Sequence, residues 1–130
     1  MPNLFTKLDV HAITVQVQAG AMLFRRGDPV IGAYTMRKGR IALIWTSKNG
    51  VNPMDVLRPG AILGLPAVLN GEYSLSAKAV EDCELGFLPV QRVVDLLSMD
   101  QGMLQEVTKL LASEVARMRE LARSQIIEEG

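Results

Sequence analysis

Before Pro89 the chain is broken into short apolar segments by turn residues, and this spacing constrains the fold more than any other feature. Ala19-Gly20, Arg26-Gly27-Asp28-Pro29, Arg37-Lys38-Gly39-Arg40, Lys48-Asn49-Gly50 and Arg58-Pro59-Gly60 follow one another at intervals of about ten residues. Between them lie Ile13-Thr14-Val15-Gln16-Val17, Met22-Leu23-Phe24, Ala33-Tyr34-Thr35-Met36, Ile41-Ala42-Leu43-Ile44-Trp45 and Met54-Asp55-Val56-Leu57. The first of these alternates apolar with polar, which is strand chemistry because successive side chains leave a strand on opposite faces. Gly admits positive φ, Asp-Pro starts a bend, and Asn-Gly suits the type I′ turn of a tight hairpin. Many short strands at this spacing predict a β-roll or small barrel, not a βαβ fold.

Helical patterning flanks that region. Leu4 to His11 predicts a short helix, and Pro89 marks the switch to an amphipathic segment from Val90 to Leu97. The pattern is interrupted around Ser98 to Gly102, where Asp100 can cap the helix that follows. In that last helix Leu104, Val107, Leu111, Val115, Met118 and Ala122 recur at three- and four-residue steps and form one stripe. Leu110 and Leu121 widen it beyond what contact with a single surface needs, so a homodimer packed along residues 101–126 is expected. Glu106–Lys109, Glu114–Arg117 and Glu120–Arg123 place opposite charges three residues apart on the other side. The expected layout is one domain over 1–130, with an N-terminal helix in 1–12, the roll in 13–89 and the C-terminal helices in 90–126.

A chain of 130 residues with 48% hydrophobic content can bury one proper core. Lys+Arg and Asp+Glu both number 14, whereas a duplex-binding surface carries a clustered positive excess. Direct DNA binding by this chain is therefore not expected. Cys83 is the only cysteine, which excludes an internal disulfide and a Cys-rich metal site. Its neighbours Asp82 and Glu84 argue against a reactive thiolate, leaving a small buried hydrophobe. His11 is the only histidine, so neither a histidine-cluster metal site nor a catalytic triad using another histidine can form. No metal, no catalytic residues and no enzymatic activity are expected. Met1 to Leu8 lacks the basic-then-apolar pattern of a signal peptide. The run Ala61 to Leu69 contains Gly64 and Pro66 and is too short to span a bilayer. A cytoplasmic protein without membrane contact is expected.

The most distinctive stretch runs Pro59-Gly60-Ala61-Ile62-Leu63-Gly64-Leu65-Pro66-Ala67 and returns as Tyr73-Ser74-Leu75-Ser76-Ala77-Lys78-Ala79. A glycine turn, a short helical turn and a returning strand make the layout of a phosphate-binding cassette. Three further motifs stand in order around it: Phe24-Arg25-Arg26-Gly27-Asp28-Pro29, Met36-Arg37-Lys38-Gly39-Arg40-Ile41 and Ala79-Val80-Glu81-Asp82-Cys83-Glu84-Leu85. On these motifs the chain, from about Val15 to Arg123, resembles the cyclic-nucleotide-binding domain of the Crp/Fnr regulators. The resemblance implies a mainly β fold, an eight-stranded β-roll (a double-stranded β-helix, jelly-roll-like) with flanking helices that dimerises through its long last helix. It also implies a sensor or effector role in transcriptional regulation.

Such cassettes usually carry a glutamate after the glycine, accepting from the ribose hydroxyl, and an arginine on the returning strand, pairing with the cyclic phosphate. Here Leu65 stands at the first position, and Tyr73-Ser74-Leu75 replaces Arg-Ser-Ala at the second. A desolvated phosphate needs a charge-assisted partner, and Pro66 removes one backbone donor that could help. Cyclic nucleotide is thus the ligand implied by resemblance and disfavoured by the residues, and no other cofactor is expected. If Tyr73 faces the pocket, alternation places Leu75, Ala77 and Ala79 beside it and Ser74, Ser76 and Lys78 opposite. A pocket built from Ile62, Leu63, Gly64, Leu65, Pro66, Ala67, Tyr73, Ser74 and Leu75 either takes a small apolar or aromatic effector or is plugged by its own side chains. The expected function is the effector domain of a Crp/Fnr-type regulator or a stand-alone relative, without a helix-turn-helix domain in these residues. The alternative is a ligand-free dimerisation scaffold.

Overall fold

The computed structural model describes residues 3–48 and 50–129, and side chains at all of these except 47, 114, 117, 118, 121, 122 and 124–129. The turn punctuation becomes eight strands: β1 (Ile13–Val17), β2 (Met22–Phe24), β3 (Gly32–Lys38), β4 (Ile41–Ser47), β5 (Gly50–Leu57), β6 (Ile62–Leu63), β7 (Ser76–Ala79) and β8 (Cys83–Pro89). Four helices accompany them: α1 (Leu4–Asp9), α2 (Leu65–Asn70), α3 (Val90–Met99) and α4 (Gln101–Glu129). All pairings are antiparallel, in two four-stranded sheets ordered β1-β8-β3-β6 and β2-β7-β4-β5. This is the expected β-roll. The β4–β5 ribbon pairs from Ile41↔Leu57 to Ser47↔Gly50, with a one-residue register shift between Leu43 and Ile44, while Asn49 of the Asn-Gly signal lies outside the described residues.

Two cores explain why some strands do not alternate. Inside the roll, Phe24, Tyr34, Met36, Ile41, Leu63, Ala77, Cys83 and Leu85 pack together. Between the first sheet and the helices, Leu4, Leu8, Ala33, Leu65, Leu88, Val93, Met103 and Val107 form a second cluster. β3 serves both, sending Tyr34 and Met36 inward and Ala33 outward under the helices, so residues 32–36 are all buried. A strand covered on both faces loses its polar face. Each fully buried leucine in the second cluster stabilises by about 1.5–3 kcal/mol.

Polar links fix α1 on this second core. Asn3 caps the helix, its Oδ1 accepting from Thr6 N at 2.9 Å. At the other end Asp9 Oδ1 accepts from Thr35 Oγ1 (2.6 Å) and Arg37 Nε (2.8 Å), which satisfies the fully buried threonine hydroxyl. Arg37 also donates to Thr14 Oγ1 at 2.6 Å, tying β3 to β1. Lys7 pairs with Glu106 of α4 at 3.4 Å. The helical switch falls at Pro89, which precedes α3 and whose fixed φ suits a helix start. Asp100 is extended and separates α3 from α4, and its Oδ1 accepts from Met103 N at 3.0 Å. Asp100 therefore caps α4 as the sequence predicts.

Candidate functional site

The cassette is a tight loop between β6 and β7. Gly64 has φ +77° and ends β6, a left-handed turn that opens α2. A Cβ there would approach both Gly32 O and Tyr73 Cε1 to 3.2 Å, so glycine is needed for conformation and for space. Gly71, at φ +87°, closes α2 with its N–H on Ala67 O. The chain then returns along the 25–31 turn: Gly27 N donates to Tyr73 O (2.7 Å), and Tyr73 N donates to Asp28 O (3.1 Å). Strand β7 starts only at Ser76, so Tyr73-Ser74-Leu75 is stitched loop, not strand.

Tyr73 occupies the middle of this arrangement. Its ring stacks on Phe24 with centroids 3.8 Å apart and planes at 10°. Its hydroxyl donates to the buried Gly32 carbonyl (3.0 Å) and accepts from Ile31 N (3.3 Å). The side chain is 2% exposed and belongs to the roll core. Next to it lies a cavity of about 90 Å³, lined by Phe24, Leu43, Leu57, Ile62, Leu63, Gly64, Pro66, Ala67, Tyr73, Ser74, Leu75 and Leu110. No charged side chain is among these residues, and the phenol is committed to backbone. Small-molecule sites usually offer about 300–1,000 Å³, several times the volume of this cavity.

Two ionisable side chains of the roll core, Tyr34 and Cys83, are pushed towards their neutral forms. Burial, and secondarily the Tyr73 phenol, push Tyr34 up to about 12. Burial likewise raises the Cys83 thiol above its ordinary value, and Cys83 Sγ donates to the Arg40 and Glu81 carbonyls at 3.3 and 3.1 Å. Cys83 is 3% exposed, a packed hydrophobe and not a thiolate. Among the described residues, no group of His, Cys, Asp or Glu is arranged to hold a metal ion. No described helix is long and apolar enough to cross a membrane.

Most of the residues named from sequence meet at this cavity: Ile62, Leu63, Gly64, Pro66, Ala67, Tyr73, Ser74 and Leu75. Leu65 does not. It is 1% exposed and packs in the helix-side cluster with Ala33, Leu88 and Val93, so the position after the glycine points away from the cavity. The left-handed Gly64 swings the chain there, and Pro66 and Ala67 form the wall instead. Ser76, expected on the face opposite the pocket, is buried, and its Oγ is satisfied there by accepting from Arg26 N at 2.9 Å. Four lining residues were missed: Phe24, Leu43 and Leu57, whose strands arrive from elsewhere in the sequence, and Leu110 of α4. Only Leu110 left a signal, as the residue that over-widened the stripe.

The α4 stripe divides in two. Val107 is 2% exposed and fills the chain's own second core, so it is not available to another copy, and Leu111 packs partly against that core. Leu104 and Val115 are 46% and 50% exposed. The side chains of Met118 and Ala122 lie outside the described residues.

The family model described as "Cyclic nucleotide-binding domain" matches residues 14–100. An anaerobic regulatory protein of Pasteurella multocida is 26% identical over 106 residues, covering 81% of this chain and 39% of that protein. Lysophospholipase nte1 of Aspergillus fumigatus is 27% identical across the whole chain, which spans 8% of the fungal protein. The chain thus spans well under half the length of these curated relatives. The solved catabolite activator protein of Thermus thermophilus superposes with a TM-score of 0.72 at 28% identity, over 92% of this chain and 57% of that one. A roll of two four-stranded sheets, a Gly64-led cassette and a long terminal helix agree with that match, and the chain belongs to the cyclic nucleotide-binding domain family, in its Crp/Fnr-type form.

Proposed function

We propose that this domain is a non-enzymatic regulatory unit, the effector part of a Crp/Fnr-type transcriptional regulator or of a stand-alone cytoplasmic relative, and that it works without cyclic AMP. The observation that carries this reading is Tyr73, stacked on Phe24 and bonded to Gly32 inside the cassette, where the family's phosphate partner would stand. Relatives named as an anaerobic regulatory protein and a catabolite activator protein support the regulatory role. The exposed Leu104 and Val115 on α4 support a homodimer that transmits through that helix. With equal numbers of acidic and basic residues, DNA contact falls to another part of the assembly.

Thermal unfolding with added nucleotide tests it. A ligand at a hundred times its Kd stabilises by about 2.7 kcal/mol, which moves the Tm of a domain this size by several degrees. Cyclic AMP and cyclic GMP at about 1 mM are expected to leave Tm unchanged. A rise of several degrees with either contradicts the reading. The uncharged cavity of about 90 Å³ favours a second reading, a sensor of a very small apolar molecule. Native mass spectrometry of freshly purified protein separates the two, because a retained effector adds its mass.

A further inference from the structure

Across the Tyr73–Ser74 segment from the cassette cavity lies a separate groove of about 480 Å³, between the Arg26 turn and the β4–β5 ribbon. Its wall holds one cation fixed from backbone to tip. Arg26 N donates to Ser76 Oγ at 2.9 Å, its guanidinium carbon sits 4.0 Å above the Trp45 ring, and Nη1 donates to Thr46 O at 2.8 Å. These contacts hold the guanidinium over the Trp45 ring. Yet among the described residues no carboxylate lies within ion-pair distance of Arg26, and its Nε and Nη2 edge has no partner. Ser74 and Glu72 stand exposed in the same groove, also without ion-pair or hydrogen-bond partners there.

We propose that this groove binds a small aromatic monocarboxylate. A planar carboxylate matches the free edge of a guanidinium in bidentate geometry, and the Ser74 hydroxyl supplies a further donor. Trp45 gives the wall aromatic surface for a flat apolar body. Glu72 sets the charge limit: beside it, a second negative charge on the ligand is repelled, which disfavours phosphate and dicarboxylates. This groove shares Tyr73 and Ser74 with the cassette cavity, while Arg26 and Trp45 line the groove and not that cavity.

Trp45 is the only tryptophan, so its fluorescence reports on the groove directly, with calorimetry as a readout independent of it. The probe is benzoate, with benzamide and inorganic phosphate as controls. Benzoate is expected to bind saturably with Kd below about 1 mM. Arg26→Met is expected to weaken it at least roughly tenfold, and Arg26→Lys nearly as much, since an ammonium has no fork. Glu72→Gln is expected to tighten benzoate and admit phosphate. No saturable response in the wild type, equal affinity for benzamide, or an unchanged affinity in Arg26→Met overturns the proposal. Circular dichroism checks that Arg26→Met folds. Should it not fold, Glu72→Gln decides, and an unchanged benzoate affinity in that variant overturns the proposal equally.

Discussion

Tyr73 is tied to its surroundings by ring and hydroxyl separately, and the two ties can be cut one at a time. Tyr73→Phe keeps the stack on Phe24 but strands the Gly32 carbonyl and the Ile31 N–H. It is expected to cost about 1–3 kcal/mol in urea unfolding with no change of fold. Tyr34 makes the opposite case: it is buried, and among the described residues its hydroxyl has no hydrogen-bond partner. Its raised pKa adds stability that is fully present below the unfolded value of 10.0 and is lost as pH climbs towards about 12. The urea midpoint of the wild type should therefore fall between pH 10 and 12, and Tyr34→Phe should fall less. At this scale the sequence was legible where counting sufficed, since distance from the Ala79–Leu85 motif alone puts Tyr73 in the cassette. It was not legible for Leu65, whose direction depends on the angle at which Gly64 launches α2. That angle is set by packing against Leu88, Val93 and Val107, all remote in the chain.

Among elements, α2 and α1 show what that packing demands. Leu65→Glu would place an unpaired carboxylate in the helix-side core, and an expected loss of about 3–5 kcal/mol follows, with no gain of nucleotide affinity. Leu65→Met should cost less than about 1.5 kcal/mol in the same assay. Were Leu65→Glu well folded and nucleotide-binding, the side chain would face the cavity after all. For α1, Asp9→Asn leaves Arg37 without its ion pair at 2.8 Å and is expected to loosen that helix from the roll. Hydrogen exchange of the α1 amides should speed up before that of β3. Strands and their turns were legible because Gly, Pro and Asn-Gly act locally. The α4 stripe was legible as a helix but not in its partition, because period alone does not say which residues meet the chain's own core and which face outward.

For the whole molecule, the split stripe sharpens the expectation of a homodimer. Light scattering should give twice the chain mass, and Leu104→Glu or Val115→Glu, both exposed within one chain, should shift it to monomer without loss of fold. A wild-type monomer across the micromolar range would sink the dimer. The central claim, that a tyrosine plug has replaced the phosphate partner and closed the roll to cyclic nucleotides, is tested most directly by isothermal titration of cyclic AMP into the folded wild-type protein. The account predicts no heat of binding beyond dilution up to millimolar nucleotide. A saturable isotherm with a micromolar Kd would contradict it, and would mean that Tyr73 swings out of its place on Phe24 and Gly32 to admit the ligand.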